Sequence, residues 1–214
     1  MNFESKICVF DMDGTIVDTV GFWRRCPERY LTKLGKTIKA GDREYFKYNV
    51  LRDSVSKMVN EYNLDISIPD LWALLEEEVK RGYNSVSSYK ADADLFLSYL
   101  KKNNVPCVLY TANEREYINI IDNNLNLSNY FNLMYTTAEI GFKKDEREGF
   151  ELIARSFGKN IEDIVLFEDS YYAIHTASIL NMKSVAVADE FAENRVDDVK
   201  NECDIFISSY RQLL

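Results

Sequence analysis

The chain has 214 residues, enough for one large domain or a core with a smaller insert. Hydrophobic residues make up 46%, and only three prolines and eight glycines are present, which excludes collagen-like and low-complexity architectures. A formal charge of −9 argues against a general grip on nucleic acid or an anionic membrane, and an anionic substrate would need local positive charge from Lys, Arg or a metal.

The first apolar run, Lys6-Ile7-Cys8-Val9-Phe10, ends in Asp11-Met12-Asp13-Gly14-Thr15. It reads as a buried strand followed by the loop leaving it. In an open parallel sheet, ligands sit at the carboxyl ends of strands. Two carboxylates there need a cation or a proton to divide their charge. Capping of a following helix by Asp11 and Asp13 is the plainer alternative.

From about Val20 to Ser87 the periodicity is helical. One stripe is Trp23, Tyr30, Leu31 and Leu34, stopped by Gly35. A second is Val55, Met58, Val59 and Tyr62, and a third is Leu71, Leu74, Leu75 and Val79, opened by Ile68-Pro69-Asp70 and closed near Gly82. These stripes, with Phe22 and Trp23, read as core, and Glu76-Glu77-Glu78 as a solvated face. The pattern then alternates. Helices are expected at Ala91 to Lys102 (Leu95, Phe96 and Leu100 on one face), Glu114 to Asn123, Asp145 to Phe157 and Tyr171 to Leu180. Strands are expected at Val105 to Thr111, Asn132 to Thr137, Ile164 to Phe167, Ser184 to Ala188 and Asp204 to Ile207. Such alternation implies right-handed crossovers and an α/β fold, a doubly wound parallel sheet with a small all-helical insert after the first strand. The expected division is residues 1–17 and 88–214 for the Rossmann-like core and 18–87 for the insert.

Three later strand ends carry polar groups. Val108-Leu109-Tyr110-Thr111-Ala112-Asn113 places a hydroxyl, Ile140-Gly141-Phe142-Lys143-Lys144 offers lysine, and Val165-Leu166-Phe167-Glu168-Asp169-Ser170 delivers two adjacent carboxylates. Helix capping at Thr111, Asp169 or Ser170 and a surface role for either lysine are the ordinary readings. His175, the only histidine, falls about two turns into the helix after Asp169 and reads as a helix-face residue near the core. With one histidine and no Cys-x-x-Cys among Cys8, Cys26, Cys107 and Cys203, zinc is disfavoured; Cys8 and Cys107 read as buried hydrophobes. No charged leader or run of roughly 20 apolar residues is seen, so a soluble, cytoplasmic protein is expected.

Taken in order, the four strand-end stretches resemble the four motifs of the haloacid dehalogenase superfamily, in its phosphatase and phosphomutase branch with a helical cap. The resemblance implies Asp11 as nucleophile and Asp13 as general acid and base. It also implies a phosphoryl cradle from Gly14, Thr111, Ala112 and Asn113, and a charge-balancing lysine. Lys144 fits that lysine because Phe150 lies six residues on, although the family's following proline is missing; Lys143 is the alternative. Mg²⁺ would be held by the carboxylates of Asp11 and Asp169 and the backbone carbonyl of Asp13, with Glu168 just outside the ligands. The family's glycine three residues after Ser170 is Ala173 here. In the insert, Leu51-Arg52-Asp53-Ser54-Val55 loosely resembles the substrate loop of β-phosphoglucomutases, with Arg52 as a candidate grip on a distal anionic group.

The implied activity is Mg²⁺-dependent hydrolysis of a small phosphorylated metabolite through an aspartyl-phosphate. The competing readings are a β-phosphoglucomutase-type mutase and an inactive binding module. A dehalogenase is disfavoured because that branch lacks the second acid found here as Asp13. Hinges near Ile16 to Val20 and Val86 to Tyr89 would let the cap open and close. No nucleic-acid or membrane partner is expected, and a monomer or weak homodimer is.

Overall fold

The computed structural model describes residues 3–191 and 195–214. The chain divides into two compact units, one formed by Met1–Asp18 with Ser87–Leu214 and one by Thr19–Val86.

The larger unit is built on six parallel strands: β1 (Ile7–Phe10), β2 (Cys107–Thr111), β3 (Leu133–Thr136), β4 (Ile164–Glu168), β5 (Lys183–Val187) and β6 (Ile205–Ile207). Their order across the sheet is β3-β2-β1-β4-β5-β6. β1 is therefore central, pairing Val9 with Val108 on one side and with Leu166 on the other. The chain winds outward from β1 first through β2 and β3, then through β4 to β6. Between β1 and β4 the winding reverses, which is where open α/β sheets bind ligands.

Both faces of the sheet are covered, so its central strands are wholly buried and apolar until β2 ends in Thr111 and β4 in Glu168. Strand alternation sends Ile7, Val9, Val108, Tyr110, Ile164 and Leu166 to one face, against Phe150 and Ile153 of one helix and Ala173 and Ala177 of another. Phe10 and Phe167, register partners on the other face, stack at 4.2 Å with Phe96 and Tyr210 beside them. All four cysteines are free thiols, and Cys8 and Cys107 are buried side by side in register.

The smaller unit is helical: α1 (Val20–Lys33), α2 (Asp42–Tyr48), α3 (Leu51–Glu61) and α4 (Ile68–Asn84). Pro27 stands inside α1, where it cannot donate to the carbonyl of Trp23; the thiol of Cys26 donates to that carbonyl instead, at 3.3 Å. Ser67 caps α4 by accepting the Asp70 N–H at 3.2 Å. Trp23 donates to the Tyr83 hydroxyl at 2.8 Å, and the Phe22 ring lies over Gly82, where a Cβ would meet it at 2.6 Å.

Each expected stripe is buried only in part. Leu31, Val55, Met58, Leu71, Leu75 and Val79 are buried, but Leu34 and Leu74 are exposed. Leu34 lies beyond the last turn of α1, and Leu74 sits one position off the Leu71–Leu75–Val79 face. The remaining helices belong to the larger unit: α5 (Ala93–Lys102), α6 (Arg115–Leu125), α7 (Thr137–Ile140), α8 (Arg147–Ser156), α9 (Tyr171–Ile179) and α10 (Val196–Glu202). In α5 the buried face is Phe96, Leu97 and Leu100, with Leu95 turned outward. His175 is also a correction. It is exposed on α9 rather than near the core, with Nδ1 2.7 Å from Glu202 of α10. Among the described residues, no helix is long and apolar enough to cross a membrane.

Candidate active site

The end of β4 and the loop ahead of α8 meet at Asp11, which follows β1. Its N–H continues the β1–β4 ladder, donating to the Phe167 carbonyl at 3.0 Å, so the residue is fixed by the sheet before its side chain is considered. Lys144 reaches it from the loop ahead of α8. The residue is 1% exposed, and its ammonium donates to Asp11 Oδ1 and to Glu168 Oε1 at 2.7 Å. Lys143 is exposed, so Lys144 is the lysine in contact with Asp11.

No proline stiffens the Lys144 loop; hydrogen bonds hold it instead. The Tyr110 hydroxyl donates to the Phe142 carbonyl at 2.6 Å, and the Lys143 N–H donates to Glu146 Oε2 at 2.7 Å. Gly149 makes the first of these possible, since a Cβ there would lie 2.5 Å from the Tyr110 oxygen. Phe150 meets the Tyr110 ring edge to face at 5.7 Å.

Asp11, Glu168 and Asp169 each offer a carboxylate oxygen within 4.8 Å of the others, and all three are buried. Both oxygens of Glu168 are already engaged, one by Lys144 and the other by the Ser170 N–H at 2.6 Å. Those contacts leave Asp11 and Asp169 as the carboxylates with oxygens to spare for a cation. Burial pushes Asp11 up to about 7, Lys144 opposing and Glu168 and Asp13 adding to the rise. Burial likewise holds Asp169 well above the carboxylate range, with Glu168 and Asp11 adding. Burial would lower the Lys144 ammonium, but Asp11 and Glu168 outweigh it and keep the lysine charged. One ammonium among three buried carboxylates leaves excess negative charge on hard oxygen donors. That donor set suits Mg²⁺.

Asp13 is not one of the three clustered carboxylates, although its charge reaches Asp11. The turn after β1 is closed by Gly14 N–H to the Val17 carbonyl at 2.8 Å, with Gly14 at φ +73°, a conformation that favours glycine. Asp13, half-buried, accepts from the Asn113 side-chain amide at 3.1 Å. The Asn113 backbone N–H is engaged too, donating to Thr111 Oγ1 at 3.2 Å. Thr111 is buried at the end of β2, and Ala112 is exposed just beyond it. Asn113 thus links the end of β2 to the loop that carries Asp13. Arg52 belongs to the helical unit, exposed on the first turn of α3.

Sequence reasoning passed over three nearby residues. Asp189 follows β5 after Ala188, where Asp169 follows β4 directly, a signal the strand-end pattern carries in looser form. Lys90 and Tyr172 sit in no motif. Tyr172, on the first turn of α9, is 39% exposed, yet burial pushes its phenol upward, with Lys144 opposing and Glu168 and Asp11 adding.

One curated relative, a phosphorylated carbohydrates phosphatase of Thermotoga maritima, is 21% identical over 178 residues, covering 83% of this chain and 82% of its own. Among solved structures, a candidate β-phosphoglucomutase of Thermotoga maritima superposes with a TM-score of 0.80 at 18% identity, covering 94% of both chains. The β-phosphoglucomutase of Clostridium difficile gives 0.71 at 19% identity, covering 98% of this chain and 93% of its own. At these identities the structural likeness establishes the fold. The model of the haloacid dehalogenase-like hydrolases matches residues 8–187, most of the chain including all four strand ends, and the protein belongs to that family.

Proposed function

We propose that the protein is a Mg²⁺-dependent phosphomonoester hydrolase that acts on small phosphorylated sugars through a phosphorylated Asp11. The observation that carries this reading is the division of labour between two aspartates. Asp11 is buried against a charged lysine, while the half-buried Asp13 accepts from Asn113 and is not one of the three clustered carboxylates. The likeness to a phosphorylated carbohydrates phosphatase supports the substrate class.

In this reading Asp11 attacks phosphorus in line, and the bond to the sugar oxygen breaks as Asp13 gives that oxygen its proton. Asp13, now a base, takes a proton from water, which attacks the acyl phosphate, releases phosphate and restores Asp11. Lys144 stabilises charge gathering on the phosphoryl oxygens, and Thr111 offers its hydroxyl to one of them. A Mg²⁺ ion held by the carboxylates of Asp11 and Asp169 and the backbone carbonyl of Asp13 would supply further neutralisation of the transferring group. Glu168 keeps Lys144 aligned. Arg52 is the candidate contact for the distal part of the substrate.

The test is phosphate release from a panel of hexose, pentose and triose phosphates, with Mg²⁺ or with chelator. Release by the wild-type protein should require Mg²⁺, and Asp11→Asn should abolish it. Undiminished metal-dependent release by that variant would refute the assignment. If a sugar hydroxyl rather than water accepts the phosphoryl group, sugar phosphates will isomerise without phosphate accumulating.

A further inference from the structure

Lys90 is a buried lysine that the reaction described above leaves unused. It is 8% exposed and follows the point where the chain returns to the larger unit. Its backbone N–H donates to the Ile16 carbonyl at 2.8 Å. Its ammonium donates to the Gly14 carbonyl at 2.5 Å and to Asp189 Oδ2 at 2.6 Å, and lies 3.4 Å from Asp18 Oδ1. Asp189 is itself fixed, its other oxygen accepting the Phe191 N–H at 2.8 Å and its side chain 5% exposed.

A buried ammonium needs a counter-charge, and Asp189 alone meets that need. The bond to the Gly14 carbonyl is additional, and it falls on the residue after Asp13. The turn bearing Asp13 is thus closed from within by Gly14 N–H to Val17 and held from outside by a lysine braced on the end of β5. From this arrangement we infer that Lys90 is a positioning residue for Asp13, acting through the Gly14 carbonyl, with Asp189 holding Lys90 in place.

This inference rests on the hydrolase reading, in which Asp13 protonates the leaving oxygen. A misplaced general acid matters most when the leaving group is a poor one. The test compares a sugar phosphate cleaved by the wild type, whose alkoxide leaving group needs a proton, with p-nitrophenyl phosphate, whose phenolate does not. Lys90→Met combined with Asp189→Asn removes the tie without leaving a lone buried charge. It should lower kcat on the sugar phosphate by roughly 30- to 100-fold and on the aryl phosphate by less than about threefold. Lys90→Arg keeps the ion pair but moves the donor, so it should fold and show the same skew to a smaller degree. It carries the test if the double variant does not fold. Equal losses on both substrates, or no loss on either, overturn the positioning role. Asp11→Asn run alongside separates the two ideas. If that variant is inactive while Lys90 variants show no skew, the hydrolase reading stands and the Lys90 inference falls; if it stays active, both fall.

Discussion

The two adjacent lysines have unlike environments and should behave differently. Lys144 is buried between Asp11 and Glu168, whereas Lys143 is at the surface. Lys144→Met should reduce phosphate release by roughly 10²- to 10³-fold, the usual loss when one charge-stabilising donor is removed, while Lys143→Ala should stay within about twofold. Steady-state kinetics on one sugar phosphate checks both, and the reverse order would assign the wrong lysine. Gly149 acts at one remove. In Gly149→Ala the new Cβ would press on the Tyr110 oxygen, which has no room to retain its bond to the Phe142 carbonyl. Losing that bond in a buried place costs about 1–3 kcal/mol, or several degrees in Tm, and loosens the loop that aims Lys144. Thermal unfolding and kcat should therefore fall together. The spacing to Phe150 already favoured Lys144 over Lys143 in the sequence; the buried contact with Asp11 depends on which side chain turns inward, which spacing does not reveal.

At the scale of elements, short α7 depends on its ends. Thr136 and Glu139 form a reciprocal capping box, and the Arg115 guanidinium at the start of α6 holds Glu139 through two nitrogens, at 2.8 and 2.5 Å. That pairing, first of all causes, lowers Glu139 from 4.5 to about 2. The sign follows from linkage. A depressed folded value adds stability above the unfolded value near 4.5, and the gain is lost as pH falls from 4.5 towards 2. Both side chains are more than a third exposed, so screening limits the gain to about 1 kcal/mol or less. Arg115→Ala should lower Tm by about 1–4 °C at pH 7, and the gap should narrow below pH 4.5. A gap independent of pH would place the effect in the Arg115 bond to the Met134 carbonyl instead. Helix α7 escaped sequence reading because four residues cannot display a hydrophobic period.

Over the whole molecule, the net charge of −9 and the buried acidic cluster point the same way. A cation that binds the folded state and not the unfolded chain stabilises by mass action. Mg²⁺ at about 100 times its Kd should add about 2.7 kcal/mol, visible as a rise of several degrees in Tm that chelator reverses. Asp169→Asn should abolish most of that rise, while an exposed acidic control such as Glu77→Gln should retain it. An equal rise in all three proteins would mean a general salt effect.

Three strand ends and the order of the strands could be read from the chain alone, because an apolar run that stops at an acid or hydroxyl is a local signal. A doubly wound parallel sheet follows from that alternation, since parallel neighbours need crossovers. Which apolar side chains face inward was only partly readable. Leu34, Leu74 and Leu95 fit the spacing but not the packing, which depends on where the neighbouring helix lies. Tertiary structure alone decided the contacts between residues far apart in sequence: Lys144 with Asp11, Asn113 with Asp13, and Lys90 with Gly14 and Asp189. Asp11, Asp13 and Gly14 follow β1, Asn113 follows β2 and Asp189 follows β5, while Lys144 precedes α8 and Lys90 precedes α5, and only the winding of the chain around the sheet brings these segments together.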